Sequence, residues 1–272
     1  MDSRDLQFVE NVLRDKQPQR YGGALDRRTL FKGLASAGAG LAVLGLVGGL
    51  PAVAAAAVTS KAPTGAALPA DTTQAILNIA DTAEHLAVTY LGYVLAKAPL
   101  PANVAAILRA ARYEEYVHLR TLESAGAKPL TTTFSLGAGA TPNLALVTDT
   151  ATALATIEAA EGLFVAAYLA AVADFAAASN WKWAQYCAEI LGVESEHRVL
   201  ARVALGATPP NNRAFEAASE PSVQAAAATL SALGFLSPQG ANSFPYPGPG
   251  DIQAGAAGVA GLSLANSAPG IA

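Results

Sequence analysis

Three histidines occur in the 272-residue chain, and two of them close the same short motif: Glu115-Tyr116-Val117-His118 and Glu194-Ser195-Glu196-His197. A step of three residues is close to one helical turn. On a helix each motif therefore presents a carboxylate and an imidazole on one face, close enough to bind one metal ion. Two further glutamates interrupt apolar stripes of helical period. One stripe runs Leu77, Ala80, Glu84, Val88, Leu91, Leu95; the other runs Leu154, Ile157, Glu161, Phe164, Tyr168, Val172. The motif glutamates lie in stripes of the same kind: Leu108, Ala111, Glu115, His118, Leu122 and Cys187, Leu191, Glu194, His197, Ala201.

Four carboxylates facing one core would cost several kcal/mol each if left without partners, more than a marginally stable domain tolerates. No lysine lies in these stripes. Two divalent cations would supply the missing charge. One Glu from each of two helices plus Glu-x-x-His from two others is the donor set of carboxylate-bridged di-iron and di-manganese bundles. The predicted metal ligands are Glu84, Glu115, His118, Glu161, Glu194 and His197, for two iron ions or, alternatively, manganese. Oxygen and nitrogen donors do not exclude zinc.

Four helices must position these residues. The 3.6-residue periodicity predicts them at about 72–97, 101–125, 148–178 and 181–205. Pro99 and Pro101, Gly126, Ser179-Asn180 and Pro209-Pro210 punctuate them. The first and third connections are short and make antiparallel hairpins. The second, from Gly126 to Val147, has about twenty residues and can reach ~60 Å, the length of a bundle. The expected fold is all-α: a four-helix bundle over 71–235 with one long crossover between helices 2 and 3. A short fifth helix is expected around Ser222 to Leu233. Residues 236–272, rich in Pro and Gly, read as a weakly ordered tail.

Other residues have plainer readings. Glu114 and Glu196 lie one or two positions off the core stripes and read as solvated charges. Glu158, one turn before Glu161, is an alternative ligand. His85 points about 100° away from Glu84 and reads as a surface or hydrogen-bonding histidine. Asp81 either orients a ligand histidine from outside the coordination shell or supports the helix start. Tyr90, Tyr116 and Tyr168 read as core or rim aromatics, Tyr168 on the Glu161 face. Trp181 and Trp183 are expected to pack at a helix start. Cys187 reads as a small core residue, with a ligand role as the alternative.

Residues 1–57 have the layout of an export signal: a polar start, Asp26-Arg27-Arg28-Thr29-Leu30-Phe31-Lys32-Gly33, an uncharged Ala/Gly/Leu run and small residues near Ala54 to Ala57. The same run could instead be a membrane-spanning helix. Residues 58–70 form a linker. Without residues 1–54 the chain keeps 10 basic and 16 acidic side chains, a formal charge of −6. Nucleic acid is an unsuitable partner for that charge. Cys187 is the lone cysteine, which excludes an internal disulfide and a cysteine-rich metal site.

The Arg27-Arg28 motif resembles the twin-arginine signal. That resemblance implies the twin-arginine export machinery as a partner and loading of any cofactor before export. The expected location is periplasmic, cell-envelope or secreted, with anchoring if the signal is uncut. Over about 72–235, including ILNIADTAEHLAVTYLG, EEYVHLRTLESAGAKP and GVESEHRVLARVALGATPPNNRAFE, the chain resembles the ferritin-like superfamily and its exported bacterial members. The resemblance implies that Glu84 and Glu161 are the single-helix ligands, that Glu115 and Glu194 bridge, and that His118 and His197 are terminal. It implies di-iron redox chemistry with a small-molecule oxidant, oxygen or peroxide. The alternative is a stress or desiccation-related protein in which metal only stabilises the bundle. A third reading keeps the ligand geometry without metal, which requires several carboxyls to be protonated. A closed storage cage fits poorly with the signal and tail. Homo-oligomerisation stays open.

Overall fold

The structure, a computed structural model, describes residues 72–256. The expected export signal and linker lie outside them. Four long helices form the bundle: α1 (Thr73–Lys97), α2 (Ala102–Ser124), α4 (Thr150–Ala177) and α5 (Trp181–Ala204). A single turn, α3 (Ala145–Thr148), precedes α4, and α6 (Val223–Ala232) is the expected fifth helix. Local chemistry sets the boundaries. Thr72, Asp149, Asn180 and Ser222 each cap a helix by accepting a backbone N–H three residues on. Pro99 and Pro101 stop α1 and open α2.

The hairpins α1–α2 and α4–α5 pack side by side, joined by the long crossover. At one end of the bundle Ile76, Leu77, Leu122, Phe175, Ala184 and Ile190 form a continuous core that includes Cys187. Trp183 packs against Phe175 and Tyr186. Trp181, expected beside it, is instead exposed. Thr150–Ala177 is long and apolar enough to cross a membrane by composition alone, but its apolar side chains serve the bundle core. Near the other end, Arg202 reaches Glu158 at 2.9 Å, and the buried Arg198 reaches Asn212 and Glu216, fastening the segment after α5.

The stretch after residue 236 departs from the expected weakly ordered tail within its described part. Strand β2 (Phe244–Pro245) pairs antiparallel with β1 (Thr133–Phe134) of the crossover, with Thr133 opposite Pro245 and Phe134 opposite Phe244. Asn242 is fully buried: its side chain accepts from the Leu136 N–H and donates to the carbonyls of Gly137 and Gly139. Gly234 is required beside it, since its φ is +81° and a Cβ would lie 2.3 Å from crossover backbone atoms. Helix α7 (Pro249–Ala256) then docks on α2. Arg112 donates to Val88 O at 3.0 Å and Asp251 Oδ2 at 2.7 Å, while Ile252 is buried with Val88, Tyr116 and Leu119. Burying such a side chain is worth about 1.5–3 kcal/mol, which outweighs the turn-forming composition around it.

Candidate metal centre

The six residues singled out by spacing converge between the four long helices. Glu84 comes from α1, Glu115 and His118 from α2, Glu161 from α4, and Glu194 and His197 from α5. They form two overlapping quartets whose ligand atoms lie within 4.8 Å of one another: Glu84, Glu115, His118, Glu194 and Glu115, Glu161, Glu194, His197. All six side chains are buried.

Glu115 and Glu194 belong to both quartets, and each turns one oxygen toward each imidazole. His118 Nδ1 lies 3.2 Å from Glu115 Oε2 and 3.3 Å from Glu194 Oε1. His197 Nδ1 lies 3.1 Å from Glu115 Oε1 and 3.4 Å from Glu194 Oε2. Glu84 Oε2 is 3.6 Å from His118 Nδ1. One N–H cannot serve several surrounding carboxylate oxygens. Glu84 Oε2, Glu161 Oε2 and both oxygens of Glu194 have no hydrogen-bond partner, although all are buried. Among the described residues, the ion pairs of these glutamates are with His118 and His197 and not with lysine or arginine. Unpartnered carboxylate oxygens and imidazole nitrogens around shared points are a donor set that fits divalent cations.

Without a cation, protons must neutralise the cluster. Burial, with the neighbouring Glu115 and Glu194 charges, raises the carboxyls of Glu84 and Glu161 well above the usual range. Burial pushes Glu115 the same way, but His197, His118 and their hydrogen bonds outweigh it and hold Glu115 low. Burial would lower both imidazoles; the surrounding carboxylates more than reverse this and raise them. The cluster can therefore exchange protons for metal charge.

Two neighbours complete the site in ways the spacing missed. Glu114, expected to be a solvated charge, accepts from His197 Nε2 at 2.7 Å. It is the partner a ligating imidazole needs to fix its tautomer and orientation. Its position beside Glu115 was the available signal, but only the approach of α5 brings His197 within reach. Tyr168 donates its hydroxyl across the bundle to Glu84 Oε1. Burial and the Glu84 charge push its own ionisation far up, so it stays a donor.

The remaining candidates separate cleanly. Glu158 pairs with Arg202 and joins neither quartet; Glu161 does. Cys187 belongs to the core cluster, and burial pushes its thiol up to about 12. Glu196 is exposed as expected. His85 is buried, and Asp81 lies beside it rather than beside a histidine of the quartets.

No curated protein and no solved structure matches the chain. The family model described as the ferritin-like domain matches residues 72–207, half of the chain. That span holds the four long helices, the crossover and all six converging residues, so fold, site and family model agree: the chain belongs to the ferritin-like domain family.

Proposed function

We propose that the six-residue cluster is a dinuclear metal centre, loaded with iron, in a protein that reacts with a small-molecule oxidant. The observation that carries this reading is the sharing of Glu115 and Glu194 between the two quartets with oxygens left unpartnered in a buried core. Shared carboxylates are suited to bridge two cations, with Glu84 and His118 at one position and Glu161 and His197 at the other. Two ferrous ions bound there would supply two electrons to dioxygen or peroxide; manganese is the alternative metal. The chain's own residues do the rest. Glu84 and Glu161 give up protons as positive charge arrives. Tyr168 holds one oxygen of Glu84 by its O–H, and Glu114 orients His197. Apolar side chains exclude water, and a cavity lined by Leu86, Tyr90, Ile157, Phe164, Leu230 and Phe235 adjoins Glu161. Its apolar lining suits entry of a small nonpolar oxidant. Anaerobic loading with Fe(II) is expected to give about two irons per chain and an absorbance change on adding oxygen or peroxide. Unchanged metal content in Glu115→Ala or Glu194→Ala would overturn the reading.

The near-complete burial of all six residues favours one second reading, in which metal only braces the helices of a stress or binding protein. Metal removal would then lower Tm while no oxidation of any tested substrate appears. The twin-arginine pattern at Arg27-Arg28 supports export of the folded, loaded protein. Retention of an Arg27→Lys, Arg28→Lys variant in the cytoplasm is the expected result; unimpaired export would exclude that route.

A further inference from the structure

The α1–α2 hairpin carries a second group of ligand-type side chains outside the six-residue centre. Asp81 and His85 stand one turn apart on α1, and Glu123 comes from α2. One donor atom from each, two carboxylate oxygens and an imidazole nitrogen, lie within 4.8 Å of one another. None of the three belongs to either quartet.

Asp81 is fully buried, and neither of its carboxylate oxygens has a hydrogen-bond partner. The nearest donor is His85 Nδ1, 3.3 Å from Oδ1. That nitrogen is better placed against the backbone carbonyl of Asp81, at 2.8 Å. An Nδ1–H donated to a carbonyl fixes the tautomer that leaves the Nε2 lone pair free for a metal, the usual arrangement around a ligating histidine. A buried carboxylate with idle oxygens is a costly feature that a cation would relieve.

The group also has a way in and a cover. Glu123 is half-buried and faces solvent, where its partner is the exposed Arg120 at 2.5 Å. An exposed pair of that kind is weak and gives way readily to a stronger partner. The Tyr246 ring meets His85 edge-on, with ring centroids 4.7 Å apart. Tyr246 lies in the segment between β2 and α7, beyond the span matched by the family model. The docked segment after residue 236 thus closes one side of this group.

We propose that Asp81, His85 and Glu123 form a mononuclear site for a first-row divalent transition-metal ion, separate from the six-residue centre. Two carboxylates and one imidazole suit such an ion better than calcium or magnesium, which favour all-oxygen shells. Co(II) is the probe, being divalent and paramagnetic. The full chain is titrated by calorimetry, and the Tyr246 ring signals are followed by NMR. A Glu115→Gln, Glu194→Gln variant disables the six-residue centre and keeps side-chain volume. It is expected to retain one Co(II) per chain and to show broadened Tyr246 signals. Adding Glu123→Gln, which keeps side-chain volume at a half-buried position, is expected to weaken this retained binding by about tenfold or more. Adding Asp81→Asn is expected to abolish it. In the otherwise unaltered chain Glu123→Gln should lower the Co(II) count by one and leave the rest in place, a readout that does not need the double variant to fold. Retained binding indifferent to both substitutions would overturn the site. So would an absence of Tyr246 broadening at saturating Co(II), which would leave Asp81 and His85 as a buried ion pair.

Discussion

The two hairpins bring the same donors to the centre but surround them differently. The first supplies Glu84, Glu115 and His118; the second supplies Glu161, Glu194 and His197. On the His197 side, Glu114 holds the outer ring nitrogen. The corresponding position before Glu194 is Val193, which offers His118 no such acceptor. On the Glu84 side, the Tyr168 hydroxyl occupies one carboxylate oxygen, whereas Glu161 borders an apolar cavity. A donor set that repeats in sequence is therefore set in two unequal surroundings. Identity of ligands sets which metals fit; their neighbours set how tightly and in what order.

The largest effect should come from breaking what the positions share. Glu194→Ala removes an oxygen from each quartet and is expected to reduce bound metal from about two ions to near none. Glu161→Ala should spare much of the His118 position. Elemental analysis distinguishes the two, and equal losses would dissolve the distinction between shared and unshared ligands.

Metal removal comes next. At metal concentrations about a thousandfold above Kd, bound metal contributes ~4 kcal/mol, which corresponds to ~10 °C in Tm for a domain of this size. The gap should widen with pH. Glu84 and Glu161 are raised above the ordinary value of 4.5, and His118 and His197 above 6.5. The folded, metal-free cluster thus holds these protons more tightly than the unfolded chain. Their stabilisation is fully present below the ordinary values and is lost as pH rises through the raised ones. Glu115, held below 4.5, acts oppositely: its contribution is lost only in acid. Metal-free protein should therefore lose Tm as pH rises from mildly acidic into alkaline solution and these groups give up their protons, and the loaded form should lose less. Calorimetric scans across that range check it; parallel curves would refute proton-for-metal exchange.

A smaller effect tests the inequality itself. Glu114→Ala is expected to weaken one metal position about 10–100-fold and leave the other near its original affinity, seen as a split titration. Val193→Ala, its counterpart, should change neither. The smallest expected effect is that of Tyr168→Phe, which leaves a Glu84 oxygen without its donor and should cost about 1–2 kcal/mol of metal-free stability by denaturant unfolding. A stabilised variant would show that Tyr168 holds Glu84 against its preference.

Most of the bundle was legible because its signals are local. Helix lengths follow from apolar period, ends from the prolines, Gly126 and Ser179-Asn180, and the long crossover from a stretch of about twenty residues lacking period. The six converging residues were legible for the same reason, since a three-residue step or a polar break in an apolar stripe reads along one helix. Less legible was the stretch after 236. Its Pro and Gly content signals turns, and nothing local announces that Asn242 ties down the crossover or that Ile252 finds a pocket beside Val88 and Tyr116.

By itself the sequence determined the helices, their faces and the donor types on those faces, because backbone periodicity and side-chain chemistry are set within a few residues. Tertiary structure alone decided the partners of those donors. Glu114 meets His197 across 83 residues, Tyr168 meets Glu84 across 84, and Arg112 meets Asp251 across 139. Such contacts depend on how far one helix is rotated and shifted against another. A step of one residue turns a side chain by about 100°, enough to move a carboxylate from solvent to a buried imidazole.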